Sequence, residues 1–119
     1  LYGNYGQVPY AMANGALWGL TLAMALECGT RGVTVNMVAP TFIPGTGITK
    51  DLEDIIPVIR ATTPNNELPT AVDVASTVAN LVGPDGAHKN GILVLVDNAM
   101  KSNYTAIRPL SRAQFLAQG

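Results

Sequence analysis

Apolar and polar positions follow different rhythms in different parts of this chain. From Tyr10 to Glu27 apolar residues occur on every side of a helical projection, interrupted by Asn14, Gly15, Gly19 and Thr21. A helix that is apolar nearly all round must be buried on more than one side. Residues 1–9 (LYGNYGQVP) predict a loop before it. Gly29 is placed to cap its end, because glycine enters the left-handed conformation without steric cost. Val33 to Val38 (VTVNMV) is short and β-branched, is followed by Pro40, and predicts a strand. Residues 39–49 hold two prolines and two glycines and predict a loop. Lys50 to about Arg60 predicts a weak helix with Asp51, Glu53 and Asp54 in its first turn, and Pro57 should shorten or kink it. After a second loop at 62–69, Thr70 is placed to cap a helix from Ala71 to about Val82, with Asp73 in its first turn. Gly91 to Val96 (GILVLV) is a continuous apolar run, as expected of a strand covered on both faces.

Strand, helices, strand is the order of a parallel α/β sheet with a right-handed crossover. Only two strands are convincing, and two strands are marginal alone. Both the 91–96 strand and the 10–27 helix expect neighbours that the sequence does not supply. The chain is therefore expected to need a missing half, a partner chain, or both. The start at Leu1-Tyr2 without an initiator Met points the same way, to a fragment, a processed product or one piece of a split protein.

Composition narrows the function classes. At 119 residues and 48% hydrophobic, the chain is sized for one small globular domain. Seven Lys and Arg against eight Asp and Glu, without a basic cluster, offer no footprint for a phosphate backbone, so nucleic acid is not an expected partner. The most apolar stretch, 11–26, is shorter than the ~20 residues that span a bilayer and predicts a buried helix, not a membrane segment. The single Cys28 excludes an internal disulfide and fits a reducing, intracellular setting, cytoplasm or an organelle matrix such as a peroxisome or mitochondrion. His88 stands in a polar turn with no Cys or second His nearby, so no metal site is expected.

Tyr10 and Asn14 lie one helical turn apart and so share a face, and Thr21 extends that polar line. The line is either a site or a packing seam whose polar groups are satisfied locally.

The segment GQVPYAMANGALWGLTLAMALECGTRGVTVNMVAPTFI resembles the part of the short-chain dehydrogenase/reductase family that runs from the catalytic Tyr-x-x-x-Lys through its helix to the strand ending in Asn-x-x-x-Pro-Gly. Tyr10 matches the tyrosine, and Asn36 and Pro40 match the Asn and Pro of the strand-end motif. Pro69 to Val82 (PTAVDVASTVANLV) is similar to the family's penultimate helix, and Gly91 to Asp97 (GILVLVD) to its last strand. The resemblance spans residues 3–100. It implies an α/β fold, the C-terminal part of a Rossmann-like doubly wound parallel sheet, with 101–119 as a divergent tail in which Ser111 could cap a short helix. LYGNYGQ is most similar to the hydroxyacyl-CoA dehydrogenase modules of peroxisomal multifunctional enzymes.

The resemblance implies hydride transfer between NAD or NADP and a carbonyl, an alcohol or a hydroxyacyl-CoA. In the family the tyrosine exchanges the proton on the substrate oxygen, and a lysine one turn later holds the nicotinamide ribose and lowers the tyrosine pKa. Ile43 and Thr46 match the backbone and hydroxyl contacts to the nicotinamide amide, alongside Asn14 and Pro40 as cofactor-binding positions. The resemblance also implies oligomers, homo- or hetero-, built through the 10–27 helix.

Four departures stand against full activity. Asn14 occupies the lysine position, Ala13 replaces the small hydroxyl residue before it, and Thr41 replaces the glycine after Pro40. No Gly-x-x-x-Gly-x-Gly nucleotide loop occurs in the sequence. A phenol titrates near ~10, and a nearby cation lowers an acidic group by ~1–3 units. A neutral amide gives that help up, at about 1.4 kcal/mol per unit. Proton transfer should therefore suffer more than ribose binding, and oxidation more than reduction. The alternative is a catalytically silent structural or interaction subunit.

Overall fold

The computed structural model describes residues 8–49 and 53–100. They fall into two compact units. The first holds the residues up to Pro40 together with Thr70–Val96; the second holds Thr41–Pro69 and the residues from Asp97 on.

The first unit contains helix α1 (Val8–Gly29), strand β1 (Met37–Pro40), helix α3 (Ala71–Val82) and strand β2 (Leu93–Val96); the intervening helix α2 (Ile56–Arg60) belongs to the second. The two strands form a parallel pair in the register Met37↔Leu93, Val38↔Val94, Ala39↔Leu95 and Pro40↔Val96. A parallel pair requires a long crossover, and α3 returns within it to pack on both strands. The expected α/β class holds.

Both strands begin later than the sequence suggests, for one physical reason, and β1 also runs past the expected end at Val38 to Pro40, into the expected 39–49 loop. Residues 33–36 are not laddered, because two asparagines satisfy the backbone there. Asn90 accepts from the Val35 N–H (2.8 Å) and donates to the Ala25 carbonyl (2.9 Å). Asn36 donates to the Lys89 carbonyl (2.7 Å) and accepts from the Ile92 N–H (3.2 Å). The Gly91 N–H donates to the Val35 carbonyl (2.8 Å), and only beyond these side-chain bonds does the regular ladder begin. The bracket binds the end of α1 to the start of both strands. Gly91, at φ 69°, occupies a conformation that glycine adopts freely, and a Cβ there would press on the Ala25 side chain at 3.3 Å.

Helix α1 extends two residues beyond its expected limits at each end, and the left-handed residue after it is Gly32 (φ 73°), not Gly29. Its least exposed residues are Asn14, Trp18, Thr21, Ala25 and Cys28, a single stripe at spacings of three and four. The rest is open, with Met12 70% and Leu26 80% exposed. Helix α3 repeats this on a smaller scale. Val74, Thr77 and Leu81 are its half-buried stripe, while Val72, Val78 and Val82 are exposed.

Helix α3 has the expected limits, and its start is locally determined. The Thr70 hydroxyl accepts from the Asp73 N–H (3.3 Å) and an Asp73 carboxylate oxygen accepts from the Thr70 N–H (2.7 Å), a reciprocal capping box. Hydrogen bonds from the Thr70 hydroxyl and backbone hold the Asp73 carboxyl below its ordinary range. Beyond the C-cap Gly83 the chain turns through a single 3-10 turn, Pro84–Gly86. Gly86 is buried there, and a Cβ on it would overlap the Leu81 carbonyl.

The described residues of the second unit are mostly turns. Its only α-helix among the described residues is the five-residue α2, preceded by a 3-10 turn at Glu53–Ile55. Of the expected helix over 50–60, the described residues form the 3-10 turn and then α2, and Lys50, Asp51 and Leu52 lie outside the described residues. Pro57 sits in the first turn of α2, where its missing N–H removes no helical bond, so it begins the helix instead of kinking it. Thr63 and Leu68 are buried, and the Thr63 hydroxyl lies within hydrogen-bond reach of the Arg60 (2.8 Å) and Glu67 (2.9 Å) carbonyls. The tail 101–119, with the suggested Ser111 cap, lies outside the described residues.

Candidate active site

The polar line on α1 begins in its first turn. Tyr10 is the third residue of the helix and is 64% exposed. One turn on, Asn14 is half-buried and its Nδ2 donates to the Tyr10 carbonyl at 2.8 Å. Thr21 makes the equivalent bond to the Leu17 carbonyl (2.8 Å) and is buried. Both polar side chains are thus satisfied by their own helix, and they lie on the covered stripe. Asn14 and Thr21 lie on the covered stripe of α1, while Tyr10, one turn before Asn14, is exposed. An amide nitrogen carries two N–H groups, so Asn14 retains a second donor for a ligand hydroxyl.

Pro40 closes β1, opposite Val96. Asn36, at the head of the same strand-end motif, is occupied in the bracket between the strands. The structure therefore gives Asn36 an architectural task within this motif.

Ile43 and Thr46 belong to the second unit, and there they meet each other. The Thr46 hydroxyl donates to the Ile43 carbonyl (2.9 Å), and the Thr49 hydroxyl lies 2.7 Å from the same oxygen and 2.7 Å from the Thr46 carbonyl. The Thr46 N–H donates to the Thr49 hydroxyl (3.0 Å), and the 3-10 turn Gly47–Thr49 closes the loop. The loop is folded around the Ile43 carbonyl. Thr46 is exposed and Ile43 half-buried, so a ligand amide could exchange with these internal bonds. The donor and acceptor pair of Thr46 and Ile43 suits an amide. It does not suit a pyrophosphate, which calls for the glycine-rich turn that the sequence lacks.

Among the described residues no group of three His, Cys, Asp or Glu side chains is placed to hold a metal ion. No helix of the described residues is long and apolar enough to cross a membrane. The Arg31 guanidinium lies 3.4 Å from the Cys28 sulfur in the turn that ends α1.

Sequence reasoning passed over two sets of residues. Asn90 lies in the polar turn that holds His88, and its place in an Asn-Gly pair before an apolar run is a usable signal for a side-chain bond across a strand start. Thr41 was noted for replacing a glycine. Its hydroxyl lies 2.9 Å from the Met100 sulfur, a contact that sequence spacing does not suggest.

A parallel strand pair joined through α3, with a tyrosine in the first turn of the preceding helix, defines an α/β unit of the Rossmann-like class. The family described as Enoyl-(Acyl carrier protein) reductase matches residues 2–100. The 3-oxoacyl-(acyl-carrier-protein) reductase FabG of Vibrio cholerae is 41% identical over 99 residues, covering 82% of this chain and 40% of the relative. Acetoacetyl-CoA reductase of Cupriavidus necator is 35% identical over 89 residues, covering 75% of this chain and 36% of the relative. A crystal structure of a short chain dehydrogenase family protein from Francisella tularensis superposes with a TM-score of 0.79 at 18% identity, over 86% of this chain and 47% of that one. The chain belongs to the short-chain dehydrogenase/reductase family. It spans about 40% of the length of the FabG relative.

Proposed function

We infer that this chain is the substrate-side portion of an NAD(P)-dependent reductase acting on a carbonyl, with a 3-oxoacyl thioester as the favoured substrate class. The reading is carried by Tyr10 in the first turn of α1, with a hydrogen-bonding residue one turn further along the helix. The names of the FabG and acetoacetyl-CoA reductase relatives support the substrate class. A hydroxyacyl-CoA, the reverse-direction substrate, belongs to the same chemistry.

A nicotinamide, when bound, supplies the hydride. The chain's own residues handle the proton and the positioning. Tyr10, exposed at the start of α1, donates its phenolic proton to the substrate oxygen as negative charge develops there. Asn14 holds a ribose hydroxyl through its second amide N–H but brings no positive charge to the phenol. Reduction is therefore favoured over oxidation, since oxidation needs the tyrosinate. Ile43 and Thr46 present a carbonyl and a hydroxyl to the nicotinamide amide.

A catalytically silent subunit is the second reading. It is favoured by the bond from the Asn14 amide to the Tyr10 carbonyl, which spends on the helix a side chain that stands where the family has its lysine. The two readings separate on one experiment with the complete protein. NAD(P)H binding is followed by fluorescence, and acetoacetyl-CoA reduction by loss of absorbance, for the parent and Asn14→Lys. The enzyme reading expects binding and slow reduction in the parent, with a gain of about tenfold or more per pKa unit recovered in the variant. Activity confined to Asn14→Lys supports the silent reading. Failure of both proteins to bind either nucleotide rejects the oxidoreductase reading.

The open flank of α1, from Met12 through Leu26, is the surface by which the chain associates with the remainder of the fold or with a second copy. Light scattering on the complete protein should read an oligomer; a well-folded monomer would reject the self-association.

A further inference from the structure

The turn that follows β2 has an uncommon backbone. Asn98 (φ 47°) and Ala99 (φ 59°) are both left-handed, and the Met100 N–H donates to the Asp97 carbonyl at 2.9 Å. Two consecutive left-handed central residues closed by that bond make a mirror-image turn, the kind that favours Asn followed by Gly. Asn98 is suited to its place. Ala99 is not, because its Cβ crowds the following carbonyl in this conformation. A strained residue persists where its surroundings hold it.

Two contacts hold this turn, and they fall on the two ends of the 41–69 segment. Asn98 Nδ2 donates to the Glu67 carbonyl at 3.1 Å, an oxygen that also lies 2.9 Å from the hydroxyl of the buried Thr63. The half-buried Thr41 hydroxyl reaches the half-buried Met100 sulfur at 2.9 Å. The turn thus closes on residue 41 and residue 67 at once. Thr41 also restricts the backbone at a point where a glycine would leave it free, since β-branched side chains admit few conformations.

We propose that the Asp97–Met100 turn is a clasp on the 41–69 segment, and that Thr41 and Met100 are positioning residues that set the loop carrying Ile43 and Thr46. They act through the loop, with Thr41 two residues from the carbonyl around which Thr46 and Thr49 are folded. The clasp itself stands on the geometry above; its role in cofactor binding rests on the NAD(P)-dependent reading.

The test uses the complete protein with carbon-13 methyl labels on methionine and a fluorescence titration with NADPH and NADH. Met100→Leu identifies the Met100 resonance. Thr41→Val, which keeps the shape and loses the hydroxyl, should shift that resonance and weaken nucleotide binding by roughly threefold to tenfold, the range of one neutral hydrogen bond. Thr41→Ser should restore both. Met100→Leu alone should weaken binding to a similar degree, and the double variant should be no weaker than either single one. This arm also serves if Thr41→Val fails to fold. A Met100 resonance unmoved in a folded Thr41→Val overturns the clasp. A moved resonance with unchanged affinity overturns the positioning role and leaves the oxidoreductase reading standing. Absence of nucleotide binding in the parent defeats that reading and the positioning role together, while the methyl shift still decides the clasp.

Discussion

Helices α1 and α3 lie in the same unit, and both contact β1, yet their sequences encode them differently. α3 carries its own boundaries. A capping box fixes its first turn, and Gly83, Pro84 and the buried Gly86 fix its end. α1 has no acidic residue in its first turn and no basic residue in its last. Its polar side chains bond to its own carbonyls, and its apolar surface is far larger than the stripe the unit covers. One helix is set by local chemistry. The other carries no such local marks, and it leaves Tyr10 exposed in its first turn.

The contrast can be broken at the end of α3. Gly86→Val should cost the most, about 2–4 kcal/mol, since its side chain has no room beside the Leu81 carbonyl. Thermal unfolding measures it, and a loss under 1 kcal/mol, about the ordinary surface effect, would show that the turn relaxes freely. Thr70→Ala should cost less, about 1 kcal/mol, by removing one half of the capping box. The smallest effect is pH-dependent and belongs to Asp73. Its carboxyl titrates below the ordinary value, so the folded state binds its proton less readily than the unfolded chain. Its stabilising contribution is complete above the unfolded carboxylate range and is lost as pH falls through the lowered folded value. Asp73→Asn should flatten the acid limb of stability against pH below about 4 and leave it unchanged near neutrality apart from a constant offset. An unaltered acid limb would show that another group dominates it.

The same contrast explains what the sequence reveals. The limits of α3 match those expected, and its start is legible to the residue because Thr70 and Asp73 act within one turn of themselves. Those of α1 differ by two residues at each end, since an all-round apolar run has no marker for its start. The β-branched Val33-Thr34-Val35 reads as strand, and propensity alone does not reveal that Asn90 replaces the ladder there. The spacing of Tyr10 and Asn14 places them on one helix face, and only the family resemblance gives that face a candidate role. The internal bonds of Ile43, Thr46 and Thr49, and the reach of Thr41 to Met100, depend on side-chain directions in loops, which no periodicity encodes. Ala99 shows the reverse case, a residue whose identity argues against the backbone it adopts.

The asparagine bracket between the strands has a consequence for how the unit assembles. Its bonds join residues 53 to 65 positions apart, so none forms until the crossover has been gathered in. Closing a loop of that size is entropically costly, and contacts of such long range are associated with slow folding. Helix α3 can form early from its local signals, while strand pairing waits for Asn36 and Asn90 to find the opposite backbone. The amide protons of Val35, Met37, Gly91 and Ile92, all held at this junction, should then exchange with solvent as one cooperative group. They would report the opening of the whole strand pair, not the fraying of its ends.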